Sequence, residues 1–114
     1  MVKPILDDLP VERVLLFADY SAGSPLFIDG VLVPREDMAR LGLDDAIANR
    51  LVDWQRLFDE NYSADCGAWT DRDARDDWYA ESELLIVEVR RQLALVEVEL
   101  DVHLWQSRQL VNDA

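Results

Sequence analysis

The hydrophobic pattern changes near residue 95 from a helical period to an alternating one, and this change constrains the fold most. From Ala74 to Leu93, apolar residues recur at multiples of about 3.6 positions, as along one face of a helix. From Val96 to Leu104, every second residue is apolar and the residues between them are charged or histidine. That pattern is typical of a strand with one exposed face. We therefore expect a helix followed by a strand over residues 96–104; a single longer helix is the alternative.

The N-terminal third carries signals for a strand and a β-hairpin. The apolar run Glu12–Asp19 is short and rich in β-forming residues, which predicts a strand buried on both faces. Further along, Leu26–Ile28 and Val31–Val33 flank Asp29-Gly30. This dipeptide favours a type I′ turn, because both central residues of that turn need positive φ. Three strands are therefore predicted before the first helix.

The first of two predicted amphipathic helices begins after Asp44 or Asp45, either of which can cap it. Its apolar residues share one face and run to about residue 62: Ile47, Leu51, Trp54, Phe58 and Tyr62. Trp54 and Phe58 lie at the centre of this stripe, so we expect them to be buried between the helix and the sheet.

The second helix follows a predicted polar loop over residues 61–69. Thr70 can open it, with Asp73 three residues later in a spacing like that of a capping box. Arg90-Arg91 suit its negative C-terminal end.

Strands followed by helices indicate an α+β fold rather than strict βα alternation. We predict a three- to four-stranded, mainly antiparallel sheet with two amphipathic helices packed on one face. Residues 96–104 should pair with residues 12–18. The length of 114 residues fits a single domain, in which 1–10 and 106–114 are expected to be peripheral.

Acidic residues dominate the charge. The chain has 24 Asp and Glu against 11 Lys and Arg, a formal net charge of −13. Residues 59–83 hold nine acids and two bases, and so contribute −7. Such a field repels nucleic acid and anionic membranes and favours encounter with a basic protein. The apolar runs are too short to cross a bilayer, and the single cysteine, Cys66, fits a cytoplasmic location.

The acidic cluster Asp71, Asp73, Asp76 and Asp77 is the main candidate site. It can be a solvated helix surface, a docking surface for a basic partner, or a ligand set for Mg²⁺ or Ca²⁺. The EF-hand pattern fails, because no glycine and no terminal glutamate follow at the required places. Motifs for phosphate binding and for nucleophilic catalysis are missing, so we expect neither a cofactor nor an enzyme.

Aromatic residues near this cluster are candidate contacts for a partner. Trp69 and Tyr79 can act as anchors, because protein interfaces favour these residue types. The alternative for Trp69 is that it packs on the first turn of the second helix. His103, the single histidine, is expected to be a solvent-facing strand residue.

Several runs resemble those of a known group of proteins: Val14–Tyr20, Pro25–Phe27, Leu41–Leu43 and Leu51–Trp54. The group consists of small, uncharacterised actinobacterial proteins, some of them similar in style to the immunity proteins of bacterial toxin systems. The resemblance covers roughly residues 12–62 and implies no functional residue.

These observations favour a non-enzymatic, acidic protein-binding module that antagonises or regulates a basic protein, with toxin immunity as one form. A self-associating protein, in which an open strand edge or the C-terminal tail pairs with a second copy, is one alternative. A small metal-binding protein or enzyme that uses the Asp71–Asp77 cluster is the other.

Overall fold

The computed structural model describes residues 4–6, 9–102 and 110–111, and confirms the α+β class. The strands are β1 (Ile5–Leu6), β2 (Leu9–Pro10), β3 (Arg13–Phe17), β4 (Leu26–Ile28), β5 (Val31–Leu32), β6 (Tyr62–Ser63), β7 (Ala68–Trp69) and β8 (Glu97–Asp101). The helices are α1 (Met38–Leu41), α2 (Asp45–Asn61) and α3 (Arg72–Gln92), and a 3₁₀ turn (Arg35–Asp37) precedes α1.

The central sheet has the strand order β5-β4-β3-β8. β4 pairs antiparallel with both β3 and β5, whereas β8 pairs parallel with β3, from Arg13 opposite Glu97 to Phe17 opposite Asp101. A parallel pair needs a long crossover, and here α1, α2 and α3 supply it. The strand predicted after α3 is β8, and its predicted pairing with residues 12–18, which form β3, is confirmed. The alternative of one longer helix is wrong. His103 and Leu104 lie outside the described residues.

The hairpin between β4 and β5 turns where the sequence predicts. Asp29 has φ 51° and Gly30 has φ 79°, the positive values that a type I′ turn requires. Asp29 adopts this conformation more readily than most residues, and Gly30 adopts it without steric cost.

The N-terminus of α2 is confirmed, but that of α3 differs from the prediction by one residue. The Asp44 carboxylate accepts a hydrogen bond from the backbone N–H of Ile47 at 2.8 Å and caps α2. α3 is capped by Asp71, whose carboxylate accepts from the backbone N–H of Ala74 at 2.9 Å. Thr70 instead donates through its hydroxyl to the Asn61 carbonyl at 3.0 Å. The predicted polar loop in fact contains the small hairpin β6–β7. Because the Thr70 hydroxyl is bonded to Asn61 at the base of this hairpin, it does not cap α3.

Trp54 and Phe58 are buried, with exposed fractions of 2% and 1%. Trp54 packs against α3, a contact that the sequence did not predict. Its ring stacks on that of Trp78 with centroids 4.5 Å apart and planes 8° from parallel. Each indole N–H donates to the backbone carbonyl of the other tryptophan, at 2.9 Å from Trp54 and 3.1 Å from Trp78. We call this arrangement the tryptophan pair; it joins α2 to α3.

The helices cover one face of the central sheet, as predicted. Val14 and Leu16 of β3 and Val98 of β8 belong to the same buried cluster as the tryptophan pair. Gln55 of α2 also reaches the end of β3, since its side-chain N–H donates to the Asp19 carbonyl at 2.7 Å.

Of the segment 106–114, which the sequence predicts to be peripheral, the structure describes Leu110 and Val111. The N–H of Val111 donates to the Trp69 carbonyl at 2.8 Å, and Leu110 packs against the core. This part of the C-terminal segment is therefore attached to β7.

We predict that Trp54→Ala lowers the free energy of unfolding by about 3–5 kcal/mol, because it leaves a cavity and removes both the ring stack and the hydrogen bond that the Trp54 indole donates to the Trp78 carbonyl. Chemical denaturation measures the change. Leu84→Ala, at a position of α3 that is 61% exposed, is the control and should stay within about 0.5 kcal/mol of the wild type. Equal stability of the Trp54→Ala variant and the control would contradict the prediction.

We also predict an alternation of hydrogen-exchange rates along β8. The N–H of Glu97 donates to the Glu12 carbonyl at 2.8 Å, so in a parallel ladder the amides of Glu99 and Asp101 face β3 as well. These amides should exchange slowly, and those of Val98 and Leu100 faster, in exchange followed by NMR. Uniformly fast exchange across the strand would mean that β8 is not paired in solution.

Candidate functional site

Four acidic side chains lie exposed along α3 and form what we call the acidic face: Asp73, Asp76, Asp77 and Glu83. Asp76 accepts a hydrogen bond from its half-buried neighbour Arg75 at 3.0 Å. Within the described ranges, Asp73, Asp77 and Glu83 have no ion-pair or hydrogen-bond partner through their side chains. Since no cation among the described residues pairs with these three carboxylates, they can attract a cationic partner from a distance.

Asp71 and Asp59 belong to the acidic segment of the sequence but serve the fold. Asp71 caps α3, an interaction that typically contributes about 1 kcal/mol to stability. Asp59 accepts hydrogen bonds at 2.9 Å from the backbone N–H of Ser21 and from the side chain of Gln55. These two carboxylates are therefore tied to internal partners.

The two aromatic candidates occupy different environments. Trp69 has an exposed fraction of 0% and contacts four rings, those of Phe58, Tyr62, Trp78 and Tyr79, at centroid distances of 5.4–6.3 Å. In this conformation Trp69 cannot be an exposed anchor, and packing is its role. Tyr79 is half-buried and lies edge-on to Trp78 at 4.9 Å.

A groove that the sequence does not predict lies between α2 and α3, beside the acidic face. Its volume is about 350 Å³, and Trp54 lies at its base. Side chains from both helices line it: Asp53 and Leu57 from α2, and Asp77, Ala80, Glu81 and Leu84 from α3. We call it the α2–α3 groove.

One sequence signal could have pointed to this groove. Leu84, Leu85, Ile86 and Val87 are consecutive, and one face of a helix cannot bury four consecutive side chains. In the structure Leu85 and Ile86 are buried, whereas Leu84 and Val87 are 61% and 66% exposed. The apolar side chains left outside therefore mark the surface of α3 next to the groove.

An ion pair links the two helices beside the groove. The Arg50 guanidinium donates to the Glu81 carboxylate through Nε at 3.3 Å and through a second, shorter contact. This hydrogen bond raises the pKa of Arg50, although burial acts in the opposite direction. Further along α3, hydrogen bonds from Arg91 and then from Gln92 lower the pKa of Glu88. The carboxylates of Glu81 and Glu88 are thus already matched by cations of the chain itself.

The metal-site alternative gains no support from the arrangement of the acids. Among the residues that the structure describes, no three His, Cys, Asp or Glu side chains form a group that could hold a metal ion. Within the same ranges, no helix is both long and apolar enough to span a membrane.

β5 lies at one edge of the central sheet, and exposed apolar side chains from β5 and from the neighbouring β2 lie beside it. Leu9 and Val31 are 68% and 67% exposed, and both line a shallow groove beside β5.

A comparison with family models identifies the fold's relatives. The model described as Serratia CdiI immunity protein-like matches residues 12–101, from the start of β3 to the end of β8. The chain belongs to this family. No curated protein and no solved structure matches the chain significantly.

Membership of the CdiI-like family confirms the resemblance to immunity proteins and extends it. The sequence resemblance reached only to about residue 62, and left the acidic helix and the last strand outside. The family match includes α3 with its acidic face, the groove and the parallel strand β8. The family match therefore rests on both long helices and on the parallel strand, and not on the first half of the chain alone.

Proposed function

We propose that this protein is an immunity protein that binds a toxin and neutralises it. The observation that carries the proposal is the family match over residues 12–101, which covers every element that builds the two-helix layer and the centre of the sheet. An immunity protein acts by binding, so the proposal requires a surface that recognises a partner and needs no catalytic group.

We propose further that the acidic face of α3 meets a basic surface of the toxin. Three of its four carboxylates have no partner within the described residues, so binding a cation breaks no existing ion pair at those positions. The local charge of −7 over residues 59–83 accelerates association with a basic protein by electrostatic steering. Tyr79, half-buried beside Trp78, can contribute contact area at the margin of this face.

The function is tested by co-expression with the product of the adjacent gene, the candidate toxin. We expect that cells producing this product alone stop growing, and that cells which also produce the immunity protein grow. The matched control is the Trp54→Ala variant, which should protect less because less of it is folded. Equal growth arrest with and without the wild-type protein would contradict the proposal for this pair.

We predict that reversing three charges of the acidic face, in the variant Asp73→Lys/Asp76→Lys/Asp77→Lys, slows association with this product by about tenfold or more at low salt. The reason is the loss of steering, which is an on-rate effect that salt also suppresses. Surface plasmon resonance at about 0.1 M and about 1 M salt measures it, since the Debye length falls from about 10 Å to about 3 Å between them.

The control for this prediction reverses three exposed acids elsewhere, in the variant Glu36→Lys/Glu97→Lys/Glu99→Lys. It changes the net charge equally but leaves α3 intact. If both variants associate more slowly than the wild type by the same factor, the total charge of the protein determines the association rate and the acidic face has no special role.

A further inference from the structure

We infer that the α2–α3 groove receives one arginine or lysine side chain of the toxin, with its aliphatic stem on Leu57 and Leu84 and its charged end between Asp53 and Asp77. This inference rests on the proposed function and names the contact that would give it specificity. The acidic face attracts a basic partner from a distance, whereas the groove determines where one side chain of that partner is bound.

The apolar part of the groove is an incompletely covered surface. Leu84 is 61% exposed on the surface that carries the acidic face, and Val87, one turn further along α3, is 66% exposed. Leu57 and Ala80 continue this apolar strip into the groove, above the tryptophan pair. Covering such exposed apolar side chains with a partner removes them from water and therefore favours binding.

The charged part of the groove lies at its rim. Three carboxylates line the groove, but Glu81 is already bound by Arg50. Asp77 has no side-chain partner among the described residues, and Asp53 meets only Arg56 at 3.4 Å, in a pair whose side chains are both more than 60% exposed. Such exposed pairs contribute little and are easily exchanged for another cation. Two negative charges are therefore available on either side of an apolar floor.

An arginine or lysine fits this combination better than other occupants. Both residues have an aliphatic stem that packs on apolar surface and a cationic end that reaches a carboxylate. A purely apolar side chain would leave the rim carboxylates without a partner and would weaken their hydration. A second copy of this chain is disfavoured as the source, because two molecules that each carry a net charge of −13 repel one another.

The groove is held in a fixed shape by contacts on two sides. The tryptophan pair lies beneath it and sets the distance between α2 and α3. The Arg50–Glu81 ion pair joins the helices beside it. A preformed groove loses little conformational entropy when it binds, so its contacts contribute more to affinity.

Binding kinetics of the purified product of the adjacent gene test the inference. The groove variants are Asp53→Asn/Asp77→Asn, which removes the rim charges, and Leu84→Gln, which removes the apolar contact and keeps a good helix former. The control, Glu36→Gln/Glu99→Gln, removes two exposed charges outside the groove. All three variants alter exposed positions and should retain the melting temperature of the wild type.

We expect each groove variant to bind about tenfold more weakly, mainly through faster dissociation, and the control to stay within about twofold of the wild type. Wild-type affinity in both groove variants, with the wild-type protein still binding and protecting cells, would overturn the groove and leave the proposed function standing. A wild-type protein that does not bind this product would overturn both. A loss shared equally by the control would also overturn the groove, because the effect would then be one of total charge.

Discussion

The tryptophan pair is the interaction on which the arrangement of the helices depends. A buried indole N–H that lacks a hydrogen-bond partner costs free energy. Trp54 and Trp78 satisfy each other through the backbone carbonyls of the opposite helix, at 2.9 and 3.1 Å. Reciprocal bonds of this kind exist in one register only. A slip of one helix by a turn would break both bonds and the ring stack together, so the pair specifies how α2 and α3 pack as well as stabilising them.

The aromatic cluster extends this constraint to the parts of the chain that would otherwise be loosely held. Phe58 lies 5.6 Å from Trp78 and 5.7 Å from Trp69, which brings the short hairpin β6–β7 against the helix layer. Trp69 in turn binds Val111 through its backbone carbonyl. The segment predicted to be a polar loop, and part of the C-terminal segment predicted to be peripheral, are thus both attached to this aromatic cluster. This is also why Trp69 is unavailable as a surface anchor, although its residue type favours interfaces.

Much of the fold could be predicted from the sequence because its signals are local. Asp29-Gly30 requires a tight turn, Asp44 caps a helix within three residues, and the alternation after Val96 describes a strand by itself. The failures concern interactions between distant segments. Thr70 and Asp71 are both good caps, and what decides between them is the contact of Thr70 with Asn61. The apolar stripe of α2 shows that Trp54 is buried but not that Trp78 is its neighbour. The α2–α3 groove was missed for the same reason, since Asp53 and Asp77 are surface acids on separate helices until those helices pack.

The distinction between attraction and recognition connects these observations to the proposed function. A net charge of −7 over residues 59–83 attracts any basic protein, and at physiological salt its range is limited to about 8 Å. An immunity protein must discriminate among basic partners, and discrimination needs contacts whose geometry a wrong partner cannot satisfy. Carboxylates on either side of an apolar floor, held at a fixed spacing by a buried tryptophan pair, can provide such contacts. A mobile acidic tail of the same charge could provide only the attraction. In this proposal, therefore, the buried tryptophans are as necessary for specificity as the acids that touch the toxin, because they determine where those acids stand.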